Sequence, residues 1–121
     1  FMVEENEIQQ IRDAIANSPF VNDYEFVQSS PWYYELLPKN ASKGDGLMHL
    51  ADLMNVDRSN TIGIGDNEND LALVKMANVG VAVSNAVDEV KEVADFITVD
   101  NNSSAVAAVI YALDDGKIKF E

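Results

Sequence analysis

The feature that most constrains this chain is a run of short, uninterrupted apolar segments alternating with helical patterns, beginning at Thr61. Thr61-Ile62-Gly63-Ile64-Gly65 is brief and partly β-branched. Residues 70–77 follow with helical spacing, which turns Leu71, Val74 and Met76 inward. Val79-Gly80-Val81-Ala82-Val83 is a second apolar run, residues 87–94 read as a helix with its charges outside, and Phe96-Ile97-Thr98-Val99 is a third strand. Ser103 or Ser104 is placed to cap a final helix through Leu113, with Gly116 just past its end. Strands that are apolar throughout, rather than at alternate positions, are buried on both faces. The predicted fold class is therefore α/β, a parallel sheet with helices on both sides.

The pattern upstream is different. Residues 41–54 read as a helix with Ser42 at its N-cap and Leu47, Leu50, Ala51 and Met54 on one face. Met48, Met54 and Met76 fall at core-like positions. Residues 4–16 form an acidic amphipathic helix with Ile8, Ile11 and Ile15 on one side. Residues 24–28 and 32–37 read as strands split by the turn signal Ser29-Ser30-Pro31. Trp32-Tyr33-Tyr34 alternates along the second of these, where packing is the default role. Pro38-Lys39-Asn40 separates two structural units, residues 1–40 and 41–121.

Composition narrows the function. With 47% apolar residues the chain builds a packed interior. Its 21 acids against 8 bases give a formal charge of −13, which excludes the basic footprint that nucleic acid or an anionic membrane surface requires. An anionic ligand would need local neutralisation by a metal ion or a well-placed Lys. The absence of Cys removes disulfides, thiolate nucleophiles and Cys-ligated zinc. No apolar run approaches the ~20 residues of a membrane span, and no basic-then-apolar leader opens the chain, so a cytoplasmic location is expected. The first residue is Phe1, consistent with a start inside a longer polypeptide.

Two segments carry candidate chemistry. Gly65-Asp66-Asn67-Glu68-Asn69-Asp70 follows the first parallel strand, at the carboxyl end where open α/β sheets bind ligands. The carboxylates of Asp66 and Asp70 and the two carboxamides there suit a hard cation such as Mg²⁺, which takes one or two protein carboxylates and fills its shell with water and phosphate. Gly63 and Gly65 would let the backbone approach a ligand. The same residues also suit plain helix capping by Asn67 and Asp70, and Glu68 is expected to face solvent. The second segment, Ser42-Lys43-Gly44-Asp45-Gly46, opens a helix with a cation and two glycines, all unfavourable there. An anion held by backbone N–H groups and Lys43 would explain that choice; a solvent-facing Lys43 and a turn-adjusting Gly44 are the alternative. His49 has no His or Cys companion and reads as an ordinary helix residue, and Asp114-Asp115 as a solvated helix end.

Taken in order, these segments resemble the haloacid dehalogenase superfamily, specifically its Cof-type phosphatases with a large α/β cap. The resemblance runs from Ser42-Lys43-Gly44 through Gly65-Asp66-Asn67-Glu68-Asn69-Asp70 and Val81-Ala82-Val83-Ser84-Asn85-Ala86. It continues through Val90-Lys91-Glu92-Val93-Ala94-Asp95 to Thr98-Val99-Asp100-Asn101-Asn102. It implies a partial Rossmann-like parallel sheet, the C-terminal half of the hydrolase core, preceded by the tail of a cap in residues 1–40. It also implies hydrolysis of small phosphorylated metabolites through an aspartyl-phosphate, with Mg²⁺ as cofactor. By resemblance Lys43 neutralises phosphate and nucleophile, Asp66 binds Mg²⁺, Asp70 holds the metal or its waters, and Asn69 contacts phosphate or substrate.

One departure qualifies this. The family's nucleophile lies in an Asp-x-Asp motif, and this sequence contains none. The chain alone is therefore expected to be inactive, with the Thr61 strand left as an open edge that invites self-association. A detached cytoplasmic domain of a P-type ATPase, which has a similar acidic loop, and a non-enzymatic α/β regulatory or assembly module are the competing readings.

Overall fold

The computed structural model describes residues 2 and 4–120. Strands β1 (Tyr24–Ser30) and β2 (Tyr33–Pro38) form an antiparallel hairpin. Strands β3 (Ile62–Gly65), β4 (Val79–Val83) and β5 (Phe96–Thr98) form a parallel sheet in the order β3-β4-β5. The helices are α1 (Ile8–Ala16), α2 (Lys43–Leu53), α3 (Leu71–Met76), α4 (Asp88–Val93) and α5 (Ala105–Asp114).

The parallel sheet follows from its pattern of small and branched residues. All five residues of β4 are buried. Val79 and Val81 join Val109 of α5 and Ile118 in one cluster, with Ile62 and Ile64 packed against it. Ala82 and Val83 join Val74 of α3, Val90 of α4 and Ala105 in the other. Helices thus cover both faces, as expected. Continuous burial is confined to β4, however. Phe96 and Ile97 of β5 are exposed, because β5 is a three-residue edge strand. On the opposite edge β3 pairs only with β4 among the described residues.

Glycines bring the helices close. A Cβ on Gly44 would stand 2.5 Å from the Ala72 carbonyl oxygen and 2.6 Å from Met76 Sδ, so α2 seats on α3 through its glycine. Gly63 and Gly65 likewise face α3, against the Leu73 carbonyl and the Asp70 Cβ. Close helix packing, rather than approach to a ligand, is what Gly63 and Gly65 provide. It also revises the buried face of α2, which is Gly44, Met48 and Ala51. Leu50 and Met54 are exposed, and Met76 is 41% exposed at the rim of the same contact.

The first forty residues keep their elements with shifted limits. A 3-10 turn at Glu5–Glu7 precedes α1, where Ile8 is buried and Ile11 and Ile15 are half-buried. Ser29 and Ser30 belong to β1, because a bulge between Gln28 and Ser30 prolongs the pairing and leaves the turn to Pro31-Trp32. Tyr34 is buried and stacks on Phe26 with ring centroids 6.1 Å apart, but Trp32 and Tyr33 are exposed. At α5, Ser104 occupies the N-cap position in left-handed backbone (φ 57°) without a side-chain capping bond, and Ser103 Oγ instead donates to Asp100.

Candidate metal and phosphate site

At the carboxyl end of β3 the chain leaves the sheet through Asp66 and Asn67 and enters a 3-10 turn, Glu68–Asp70, that leads into α3. Asn67 Oδ1 accepts the Glu68 N–H at 2.8 Å, and the Asn67 carbonyl accepts the Asp70 N–H at 2.8 Å. Asn67 therefore caps, as its residue type favours. Asp70 does not cap α3. Its Oδ2 accepts the Asp66 N–H at 3.1 Å, and its Oδ1 accepts from the Lys43 ammonium. The Asp66 carbonyl in turn accepts the Val87 N–H at 2.9 Å, which ties the turn to the start of α4.

Three residues from two separate stretches of sequence, Lys43 and the Asp66–Asp70 turn, are thus brought together. Lys43 comes from the first turn of α2, which Ser42 and Asp45 cap reciprocally. The Asp70 side chain is 10% exposed, whereas the Lys43 side chain is half exposed. Burial pushes the Asp70 carboxyl up, but the Lys43 bond and the Asp66 N–H outweigh it and hold it below the usual carboxylate range. Asn69 and Lys43 line one cleft, together with Phe26, Leu37 and Glu68. Asp66 and Asp70 line a second cleft with Ile64, Asn101 and Ile110.

The donor chemistry fits a hard divalent cation with few protein ligands. The Asp66 carboxylate accepts a long bond, 3.4 Å, from Asn101 Nδ2 and also lies against the Asp70 carboxyl. No group of three or more His, Cys, Asp or Glu converges among the described residues. Two carboxylates suit an ion that keeps several waters, as Mg²⁺ does.

Two parts of the site escaped the sequence pattern. Glu68, expected to face solvent, is an ion-pair partner of Arg12, both side chains about a third exposed (31% and 32%). Asn101 is locked to Asn85 by a reciprocal pair of bonds, its N–H to Asn85 Oδ1 at 3.0 Å and Asn85 Nδ2 to its own Oδ1 at 3.1 Å. That pairing turns its Nδ2 toward Asp66. His49 is exposed and plays no part. Among the described residues no helix is long and apolar enough to cross a membrane.

The family profile described as haloacid dehalogenase-like hydrolase matches residues 1–110. The chain is 43% identical over 90 residues to the Bacillus subtilis protein YxeH, covering 74% of this chain and 33% of that one. It is 37% identical over 83 residues to the 5-amino-6-(5-phospho-D-ribitylamino)uracil phosphatase YwtE of Bacillus subtilis, covering 69% and 29%. Among solved structures, a haloacid dehalogenase-like hydrolase from B. subtilis superposes with a TM-score of 0.78 at 30% identity, covering 87% of this chain and 37% of that one. The chain spans about a third of the length of these two curated relatives.

Proposed function

The chain belongs to the haloacid dehalogenase-like hydrolases, and we propose that it carries the metal- and phosphate-binding part of a Mg²⁺-dependent phosphate monoester hydrolase. The observation that carries this reading is the Lys43–Asp70–Asp66 cluster at the carboxyl end of β3. A cation and two carboxylates at a strand end support it, because an acidic protein must neutralise a phosphate locally.

The roles divide by exposure. Asp66, whose carboxylate lies beside that of Asp70 and makes only a long bond to Asn101, is the direct Mg²⁺ ligand. Asp70, anchored through both oxygens, holds the metal's waters and fixes Lys43. Lys43, its side chain half exposed, meets the phosphate with its ammonium, and Asn69, lining the same cleft, contacts phosphate or substrate. When bound, Mg²⁺ neutralises phosphate charge and polarises a phosphoryl oxygen. Residues 41–121 then form part of the hydrolase core and residues 1–40 the tail of a cap that faces small phosphorylated metabolites in the cytoplasm. The nucleophile of an aspartyl-phosphate mechanism belongs to an Asp-x-Asp motif, which this sequence lacks, so the chain alone is inactive and binds without turnover.

An NMR titration of the chain with Mg²⁺ tests the reading. Shifts at the Asp66 and Asp70 amides, abolished by Asp66→Asn, are expected. A silent titration at both positions overturns it. Metal-dependent phosphatase turnover by the purified chain, lost on Asp66→Asn, would overturn the inactivity.

A further inference from the structure

The turn that carries Asp70 is held from outside the sheet unit by contacts that the proposed function does not use. Arg12 of α1 donates through Nη2 to the Glu68 carboxylate. The same nitrogen donates to Gln28 Oε1 at 3.0 Å, and the guanidinium lies 4.9 Å from the centroid of the Tyr34 ring. One residue earlier in the turn, Asn67 Nδ2 donates to the Ser29 carbonyl at 3.4 Å. The Glu68 bond also keeps the Arg12 guanidinium above its ordinary pKa.

These contacts bear on Asp70 through the backbone. Glu68 sits between Asn67, whose carbonyl takes the Asp70 N–H, and Asp70 itself, whose carboxylate takes the Asp66 N–H. Where residues 67 and 68 are held therefore decides where the Asp70 carboxylate points. A planar guanidinium suits the task, because it bonds Gln28 and Glu68 while lying over Tyr34; a Lys ammonium has no planar face to stack on the ring.

We propose that Arg12 is a positioning residue for the metal-binding turn: by holding Glu68 it fixes the 3-10 turn that presents Asp70 to Asp66 and Lys43. Calling the turn metal-binding rests on the proposed function, but the positioning is readable without metal.

Amide hydrogen exchange on the full chain tests it, with Arg12→Ala, Arg12→Lys, Glu68→Gln and the Arg12→Ala/Glu68→Gln double variant. The protected amides of Glu68 and Asp70 should exchange about threefold to tenfold faster in Arg12→Ala and Glu68→Gln, less so in Arg12→Lys, and no faster still in the double variant. Acceleration confined to α1 and the hairpin, with Glu68 and Asp70 unchanged, gives Arg12 a purely local structural role and overturns the proposal, as does full additivity in the double variant. Because Arg12→Ala could unfold α1, Glu68→Gln, which leaves α1 untouched, must reproduce the effect at Asp70. A Mg²⁺ titration adds a reading of opposite sign: loss of a nearby cation would by charge alone tighten binding, whereas loss of positioning weakens it severalfold in Arg12→Ala. Tighter binding overturns the proposal. A wild-type chain that ignores Mg²⁺ overturns the proposed function and leaves the exchange result to decide the positioning.

Discussion

Every residue of β4 from Val79 to Val83 is buried, whereas in the hairpin of β1 and β2 only Tyr34 is. The two regions reach order by different means. The parallel sheet lies between α5 on one face and α3 and α4 on the other, and its valines fill two apolar clusters. The hairpin has mostly half-buried residues in β1, an aromatic stack of Phe26 on Tyr34, and polar ties to the turn through Arg12, Gln28, Ser29 and Asn67. A core fixed by apolar volume tolerates little change in that volume. A layer fixed by a few polar contacts has an orientation that a few side chains decide.

The largest expected effect contrasts the two directly. Val81→Ala removes two methyls from a fully buried site and should lower urea-measured stability by about 2 kcal/mol. Val27→Ala makes the same deletion in half-buried β1 and should cost less than about 1 kcal/mol. Equal losses would show that the hairpin shares the sheet's core, and would break the comparison.

A pair of glycines in α2 sharpens it next. Gly44 is pressed against the Ala72 carbonyl and Met76, and Gly46 has open space where its Cβ would be. Gly44→Ala should push α2 from α3 and destabilise by about 1–2 kcal/mol. Gly46→Ala should stabilise by about 0.5–1 kcal/mol through helix propensity. If Gly44→Ala is instead neutral, the seat of α2 on α3 is loose, and volume does not govern the sheet unit as strictly as β4 implies.

The same contrast explains what the sequence reveals. The parallel strands are legible because burial on both faces leaves them apolar at every position, and Asp66 and Asp70 stand at a strand end whose place in the fold follows from that pattern. The face of α2 is misread because apolar periodicity points to Leu50 and Met54, whereas the contact is made through Gly44, which has no side chain for a hydrophobic pattern to register. The glycines beside Lys43 and Asp66 invite a ligand-centred explanation for the same reason, although Gly44, Gly63 and Gly65 all serve helix packing. The Arg12–Glu68 pair is hidden because it joins residues 56 apart through side chains that, read one at a time, belong on a surface. Local spacing encodes an amphipathic helix or a capped turn; it carries no sign of which polar residue will meet which across the fold.

The smallest effect separates two ion pairs by their setting. Arg58 and Asp52 join the end of α2 to the 3-10 turn Arg58–Asn60 within the sheet unit, and both side chains are more than half exposed (58% and 53%). The bond from Arg58 lowers the Asp52 carboxyl pKa below its ordinary value. Asp52 is thus easier to ionise folded than unfolded. Its pairing favours the folded state above the unfolded value of ~3.9, and that contribution is lost as the pH falls through the lower folded value. An NMR titration of the Asp52 carboxyl should show the depressed value, and Arg58→Ala should return it to the ordinary one. Molar salt should do nearly the same, because exposed pairs are screened over ~3 Å at 1 M. The half-buried Arg12–Glu68 pair should keep most of its coupling in the same salt. If salt dissolves both pairs equally, Arg12 is no better shielded than a surface residue, and the polar ties that distinguish the hairpin from the sheet lose their hold on the turn at Asp70.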